Sequence, residues 1–277
     1  MKDLVFLAPH LDDVALSCGG LATQATGGGA SGLCVTIFTA PPAPGAPVSD
    51  YARSLNERWG SPDPNIIAGV RQAEERAAMR LLGLDLALLP YSDAIYRAGR
   101  YLSHAGIFGP VHPDEAFFAA ELAPALEAVL RAHDVAPDAL IYAPLGLGGH
   151  VDHQITFAAA RRLAAAGRRI RHYEDFPYAA KPDAHAQRFA ALAGAGAAGA
   201  LPAAVAEYCD VAAGLDAKIA AVAAYPSQIS SLFPSMEAMP AAVRDYAARV
   251  AAEWRAGLAA PAPSGGPQFA ERYWRFD

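Results

Sequence analysis

"DLVFLAPHLDDVALSCGGLATQATGGGASGLCVTIFT", residues 3–39, holds an apolar run, a polar knot, an Ala/Leu/Gly segment that stops at three glycines, and a second apolar run. Residues 3–8 and 33–39 read as short strands and 14–30 as the helix crossing between them, which together make a βαβ unit. The alternation recurs downstream. Residues 69–84 carry apolar positions at helical spacing with a glycine stop, and 86–90 are strand-like. "ALIYAP" (139–144) reads as a strand, 151–167 as a helix closed by Gly167, and "RIRHYED" (169–175) as a further strand. Strands alternating with helices predict an α/β fold: a doubly wound, mostly parallel sheet with helices on both faces. A chain of 277 residues suits a single domain, 1–277. The Pro-rich segment 40–67 and the aromatic-dotted segment 91–118 break the rhythm and are expected as long loops near the site. The Ala/Gly run 192–205 is low-complexity, a linker or a poorly specified helix.

The polar knot sits where the first strand turns into the first helix. Ligands of parallel α/β sheets bind at the carboxyl ends of strands, and His10, Asp12 and Asp13 occupy that place. Alone, an Asp-Asp pair there reads as a helix cap. A second cluster changes that reading: "GLGGHVDHQ" (146–154) puts His150, Asp152 and His153 behind the strand 139–144, at the same sheet edge. Two histidines and a carboxylate leave a position for water on a catalytic zinc, and a further carboxylate can act as general base. His10 and Asp13, three apart, can point the same way and leave Asp12 aimed at the open side. His150 and His153 share that spacing, and only one of them is needed to complete a three-ligand site.

With both motifs in view, "PHLDD" and "HVDH" resemble the zinc-dependent N-acetylglucosaminyl deacetylases of the PIG-L/LmbE type. The resemblance extends to "RQAEERAAMRLLG" (71–83), "LPYSDAIYR" (89–97) and "KIAAVAAYPSQ" (218–228). It implies His10, Asp13 and His153 as metal ligands and Asp12 as general base. It further implies His150 as the group that stabilises the oxyanion or protonates the leaving amine, with Asp152 orienting it and raising its pKa. Arg71, Asp93 and Gln228 follow as substrate-binding candidates. The family's usual Glu after the Asp-Asp pair is Val14 here, at a position that is no metal ligand. The implied activity is hydrolysis of an N-acetyl or related N-acyl group from an amino sugar or glycoconjugate, with Zn2+, Fe2+ or another divalent metal as cofactor.

Other classes fit less well. A Rossmann-like dinucleotide- or sugar-binding protein without hydrolase activity is the alternative, since Gly146, Gly148 and Gly149 form a glycine-rich turn. Its third fingerprint position is Val151, and two histidines stand where pyrophosphate would approach. No G-x-S-x-G occurs, which speaks against a nucleophilic hydrolase. A net charge of −6 without a basic face argues against nucleic acid, and no apolar run reaches the roughly 20 residues that span a membrane. The three cysteines form no CxxC pair, and "MKDLVFLAPHLDD" lacks the apolar core of a secretory signal, so a cytoplasmic location is expected. The oligomeric state stays open. Glu174 or Asp175 in "YEDFPY" could join the site, an edge turn being the equal alternative. Trp59, Tyr91 and Tyr96 could stack on a sugar, and the remaining histidines are expected on surfaces or loops.

Overall fold

The structure, a computed structural model, describes residues 1–97, 99–195, 203–258 and 266–276. In chain order these form β1 (Lys2–Ala8), α1 (Asp13–Gly27), β2 (Gly32–Thr36), α2 (Asp50–Arg58), α3 (Pro64–Leu81), β3 (Leu84–Leu88), α4 (His104–Ile107), α5 (Phe118–Ala132) and β4 (Val135–Pro144). Then come α6 (Val151–Ala165), β5 (Arg169–Tyr173), α7 (Ala184–Ala195), β6 (Ala204–Asp210), α8 (Leu215–Ala223), α9 (Pro226–Leu232), α10 (Met239–Ala256) and β7 (Ala270–Phe276). The strands lie in one sheet ordered β3-β2-β1-β4-β5-β7-β6. β1 to β5 are parallel, and β7 runs antiparallel to both β5 and β6.

Alternation along β1 sends successive side chains to opposite faces. Phe6 and Ala8 pack with Val14, Leu16 and Cys18 of α1, Met79 of α3, Val222 of α8 and Val243 of α10. Val5 and Leu7 pack with Leu122 and Leu126 of α5 and Ile155 and Leu163 of α6. Helices cover both faces, which is why the inner strands read as unbroken apolar runs. The sheet is doubly wound, as the sequence predicts. β2 and β3 lie on one side of β1, and β4 and β5 on the other. The loops leaving β1 and β4 therefore diverge and open a crevice at their carboxyl ends.

Several expectations change in detail. The segment 40–67 is more than a loop, because it holds α2 and the start of α3. Ser49 Oγ caps α2 by accepting the Ala52 N–H at 3.1 Å, and Asp63 caps α3 through Asn65 N–H at 2.8 Å with Pro64 behind it. Segment 91–118 contains 3-10 turns and the short α4. The second strand ends at Thr36; Phe38 and Ala40 beyond it make single bridges to Pro90 and Ser92. In the run 192–205, α7 continues to Ala195 and β6 begins at Ala204, while 196–202 lie outside the described residues. The antiparallel pair β6–β7 was not anticipated. No helix among the described residues is long and apolar enough to cross a membrane.

The Gly19-Gly20 pair in α1 has a packing cause. A Cβ on Gly19 would lie 2.9 Å from Lys218 Cγ, and one on Gly20 would lie 2.7 Å from Val211 Cβ. This closeness brings Glu271 of β7 against the middle of α1, where its carboxylate accepts the N–H groups of Gly20 and Leu21, each at 3.0 Å. Lys218 Nζ at 2.7 Å and the Tyr273 hydroxyl at 2.6 Å complete a buried network. The helix that follows Asp12 and Asp13 is thus clamped by the last strand.

Candidate active site

The crevice at the ends of β1 and β4 is a cleft of about 240 Å³, and His10, Asp12, Asp13, His150 and His153 all line it. The two sequence clusters, 140 residues apart, do meet. Asp13, the first residue of α1, accepts the His10 backbone N–H on Oδ2 at 2.7 Å. The same oxygen lies 3.6 Å from His10 Nδ1 and 3.4 Å from His153 Nε2. Ligand bonds of about 2.0–2.2 Å place tetrahedral donor pairs about 3.3–3.6 Å apart, so each of these two contacts has the spacing of one donor pair.

The other nitrogen of each histidine is held by a carboxylate. His10 Nε2 meets Asp152 Oδ2 at 2.9 Å, and His153 Nδ1 meets Asp175 Oδ1 at 2.6 Å. Carboxylate-held histidines of this kind are the usual support of a metal site, because the partner fixes the tautomer and turns the free nitrogen inward. Donor atoms of His10, His150 and His153 lie within 4.8 Å of one another, and so do those of His10, Asp93, His150 and Asp152. Asp152 is a poor ligand because it is already occupied. Its Oδ1 takes Arg97 Nη1 at 2.5 Å, and its Oδ2 takes the Ala94 N–H at 3.0 Å besides His10. Burial alone would raise the Asp152 pKa, but Arg97 and then His10 hold it well below the carboxylate range.

This arrangement corrects the expected role of Asp152. Its carboxylate orients His10, not His150, and only its backbone N–H reaches His150 Nδ1, at 3.2 Å. His150 is not raised in pKa; burial and then the His10 charge push it well below the usual histidine value. Burial opposes protonation of His153 as well, yet Asp13 and Asp175 outweigh it and lift that group to about 9. Burial likewise opposes protonation of His10, and Asp93 with Asp152 overcomes it.

Asp12 adopts φ 132° and ψ −26°, a conformation that side-chain-bearing residues rarely take. Such strain persists where the surroundings impose it, and it clusters at functional sites. Although Asp12 precedes α1, its side chain makes no cap hydrogen bond. Asp12 therefore holds the N-cap position without capping the helix through its side chain. The carboxylates of Asp13, Asp93, Asp152 and Asp175 each accept hydrogen bonds, whereas that of Asp12 accepts none among the described residues, and Asp12 lines the cleft. Burial, and then the adjacent Asp13 charge, pushes it up to about 8. Five buried aspartates (12, 13, 93, 152 and 175) face two buried or nearly buried arginines, 71 and 97.

The glycine-rich turn has its own purpose. Gly146, Gly148 and Gly149 all have φ near +80°, and the N–H groups of Gly146 and Leu147 bind Asp175 Oδ2 at 2.7 and 2.8 Å. The turn cradles a carboxylate of the protein, which in turn aims His153. Of the adjacent acids behind β5, Asp175 supports the site, while Glu174 turns away to His185, Arg272, Trp274 and Tyr246.

Arg71, Asp93 and Gln228 also reach the cleft. Arg71 donates to the Leu11 carbonyl at 3.3 Å, lies 3.8 Å from Asp93 Oδ2 and stacks 4.8 Å from the Trp59 ring centre. Trp59 lines the cleft, but Tyr91 packs among Phe38 and Phe118, and the Tyr96 hydroxyl is used on Asn56. His172 departs from the surface expectation, being buried in β5 with Nδ1 on the Pro144 carbonyl at 3.0 Å. Sequence reasoning missed Glu115, which holds Arg97 through two contacts of 2.9 and 3.0 Å. Nothing local in "GPVHPDE" marks it.

Comparison with known proteins gives an independent line. Residues 5–164 match the family model "PIG-L: GlcNAc-PI de-N-acetylase". A 2'-N-acetylparomamine deacetylase of Niallia circulans is 29% identical over 64% of this chain and 68% of its own length. Its counterpart in Streptomyces fradiae is 33% identical over 65% of this chain, but the match covers only 59% of that protein. Among solved structures, a deacetylase of the teicoplanin biosynthesis pathway superposes with a TM-score of 0.74 at 26% identity, covering 98% of this chain and 96% of the other.

Proposed function

The chain belongs to the PIG-L family of de-N-acetylases, and from that premise we propose that it is a metal-dependent hydrolase removing an N-acetyl group from an amino sugar or glycoconjugate. The whole chain, 1–277, serves as one catalytic domain in this reading, since its strands share one sheet. Two of the relatives named above are 2'-N-acetylparomamine deacetylases and the third is a deacetylase of the teicoplanin biosynthesis pathway, which supports that substrate class. The observation that carries the reading is the double carboxylate-held histidine pair converging on one Asp13 oxygen.

His10 Nδ1, Asp13 Oδ2 and His153 Nε2 would hold the metal, zinc being the ion this donor set usually takes; Fe(II) takes the same set and is distinguished by reconstitution. When bound, the ion supplies Lewis acidity, polarising the acyl carbonyl and lowering the pKa of water from 15.7 toward about 7. Asp12, whose carboxylate accepts no hydrogen bond among the described residues and which lines the cleft, accepts the proton of the attacking water. A cation beside Asp13 favours the ionised form of Asp12 that this task needs. His150 Nδ1 is occupied as an acceptor by the Asp152 N–H, so its neutral ring carries the remaining proton on Nε2. That Nε2–H is available to stabilise the developing oxyanion. The proton taken by Asp12 then returns to the leaving amine, giving a carboxylic acid and a free amino sugar. Arg71, Asp93 and Gln228 line the space for the sugar.

Acetate released in step with free amine from methyl N-acetyl-β-glucosaminide by the metal-loaded protein is the expected result; no hydrolysis of any N-acetylated amino sugar would contradict the reading. Asp175→Ala removes the support of His153 without touching the three donors. It is expected to weaken metal binding by about 10- to 100-fold in chelator competition.

A further inference from the structure

Arg188 of α7 is half-buried and forms no ion pair among the described residues, although a guanidinium stays charged in proteins. Its Nε–H donates to the Leu145 carbonyl at 2.7 Å, and its Cζ lies 4.6 Å over the centre of the Phe157 ring. A Cβ on Gly146 would lie 2.9 Å from Arg188 Nη2 and 3.0 Å from Cζ, so the guanidinium fills the space that this glycine leaves open. Burial pushes the Arg188 pKa down, and the Asp175 charge works against that. The bond to Leu145 reaches the site because of what shares its peptide. The Leu145 carbonyl and the Gly146 N–H are the two ends of one planar amide. That N–H donates to Asp175 Oδ2 at 2.7 Å, and Asp175 Oδ1 holds His153 Nδ1 at 2.6 Å. A cation on the carbonyl draws electron density toward the oxygen and makes the N–H a stronger donor, so the bonds reinforce one another. The second donor to Asp175, the Leu147 N–H at 2.8 Å, belongs to the next peptide, whose carbonyl takes the Gly149 N–H instead.

We infer that Arg188 is a positioning residue of the metal site: through the amide between Leu145 and Gly146 it strengthens the hold on Asp175, which keeps His153 Nε2 turned toward Asp13 Oδ2. Phe157, one turn beyond His153 on α6, lies against the same guanidinium. One side chain of α7 thus braces both the turn that cradles Asp175 and the helix that carries His153. The inference rests on the metal-hydrolase reading for what His153 binds, whereas the chain of hydrogen bonds from Arg188 to His153 exists without metal.

Proton NMR on the full metal-free chain tests the relay. In the wild type the Arg188 Nε–H is expected as a slowly exchanging resonance; fast exchange would overturn the bond to Leu145. In Arg188→Met the Gly146 amide proton should move upfield, as that of a weakened donor does, while the Leu147 amide proton holds its place. No shift at Gly146, or an equal shift of both amides, as loosening of the whole turn would give, would overturn the relay. Chelator competition then reads the effect at the metal. Arg188→Met is expected to weaken Zn2+ binding by about three- to tenfold, less than the loss of Asp175 itself because it acts one bond further away. In the Asp175→Ala background the same substitution should change affinity by less than about twofold, since the relay is already cut. Equal effects in both backgrounds, zero included, would overturn the inference. A wild type that binds no Zn2+ or Fe2+ would tell against the metal-hydrolase reading, and the amide measurements would still decide whether Arg188 holds Asp175.

Discussion

Replacing Asp12 with asparagine is expected to leave the metal bound and to lower kcat by about 10²- to 10⁴-fold, the usual worth of a positioned general base. The size follows from how the residue is set. Asp12 is buried and takes a strained backbone conformation, and its carboxylate accepts no hydrogen bond among the described residues, so no donor of the protein competes with a water molecule for it. Asparagine keeps the shape and cannot accept the proton. Asp13, one residue on, has the opposite character, since its Oδ2 is shared by the His10 backbone and both donor histidines. Asp13→Asn should therefore lose metal first and activity in consequence. Measuring metal content and kcat for both variants separates the roles; loss of metal in Asp12→Asn would show that they are reversed.

Glu271→Ala is expected to carry the largest stability effect, about 3–5 kcal/mol in denaturant unfolding, because it strands a buried ammonium. Lys218 and Glu271 are 3% and 5% exposed, and their contact is 2.7 Å. The same substitution removes the acceptors of the Gly20 and Leu21 N–H groups and of the Tyr273 hydroxyl. Most of this cost comes from leaving a charge unpaired, so adding Lys218→Met should recover a large part of it. A loss below about 1 kcal/mol in the single variant, the range of an exposed ion pair, would contradict this account of the clamp. Because the clamp grips α1 a few residues beyond Asp13, a reduced metal affinity is also expected in variants that remain folded.

The βαβ rhythm is legible in residues 3–39 because strands covered on both faces must be apolar throughout, and the crossover helix must end where glycines allow it. The place of the site was also legible, since topology alone puts the ends of β1 and β4 beside each other. The Ser49 and Asp63-Pro64 caps stood in the sequence too, but they lie inside a Pro-rich stretch that reads as loop. What could not be read depends on direction. Glu174 and Asp175 are neighbours of the same chemistry, and only the alternation at the end of β5 decides which one meets His153. Asp152 looked like the partner of His150 because the two are close in sequence; α6 instead turns its side chain toward His10, 142 residues away. Glu271 carries no local signal for the clamp, the Gly20 and Leu21 N–H groups it accepts lying 251 and 250 positions earlier.

The central claim is that His10, Asp13 and His153 hold a metal on which hydrolysis depends. The most direct measurement strips the purified chain with chelator and titrates Zn2+ or Fe2+ back, while following bound metal and acetate release from methyl N-acetyl-β-glucosaminide together. The account predicts that both rise in parallel and saturate at about one ion per chain, the stoichiometry of a single three-donor site, and that His153→Ala abolishes both. Acetate release that persists undiminished in the stripped protein, or metal binding unchanged in His153→Ala, would contradict it.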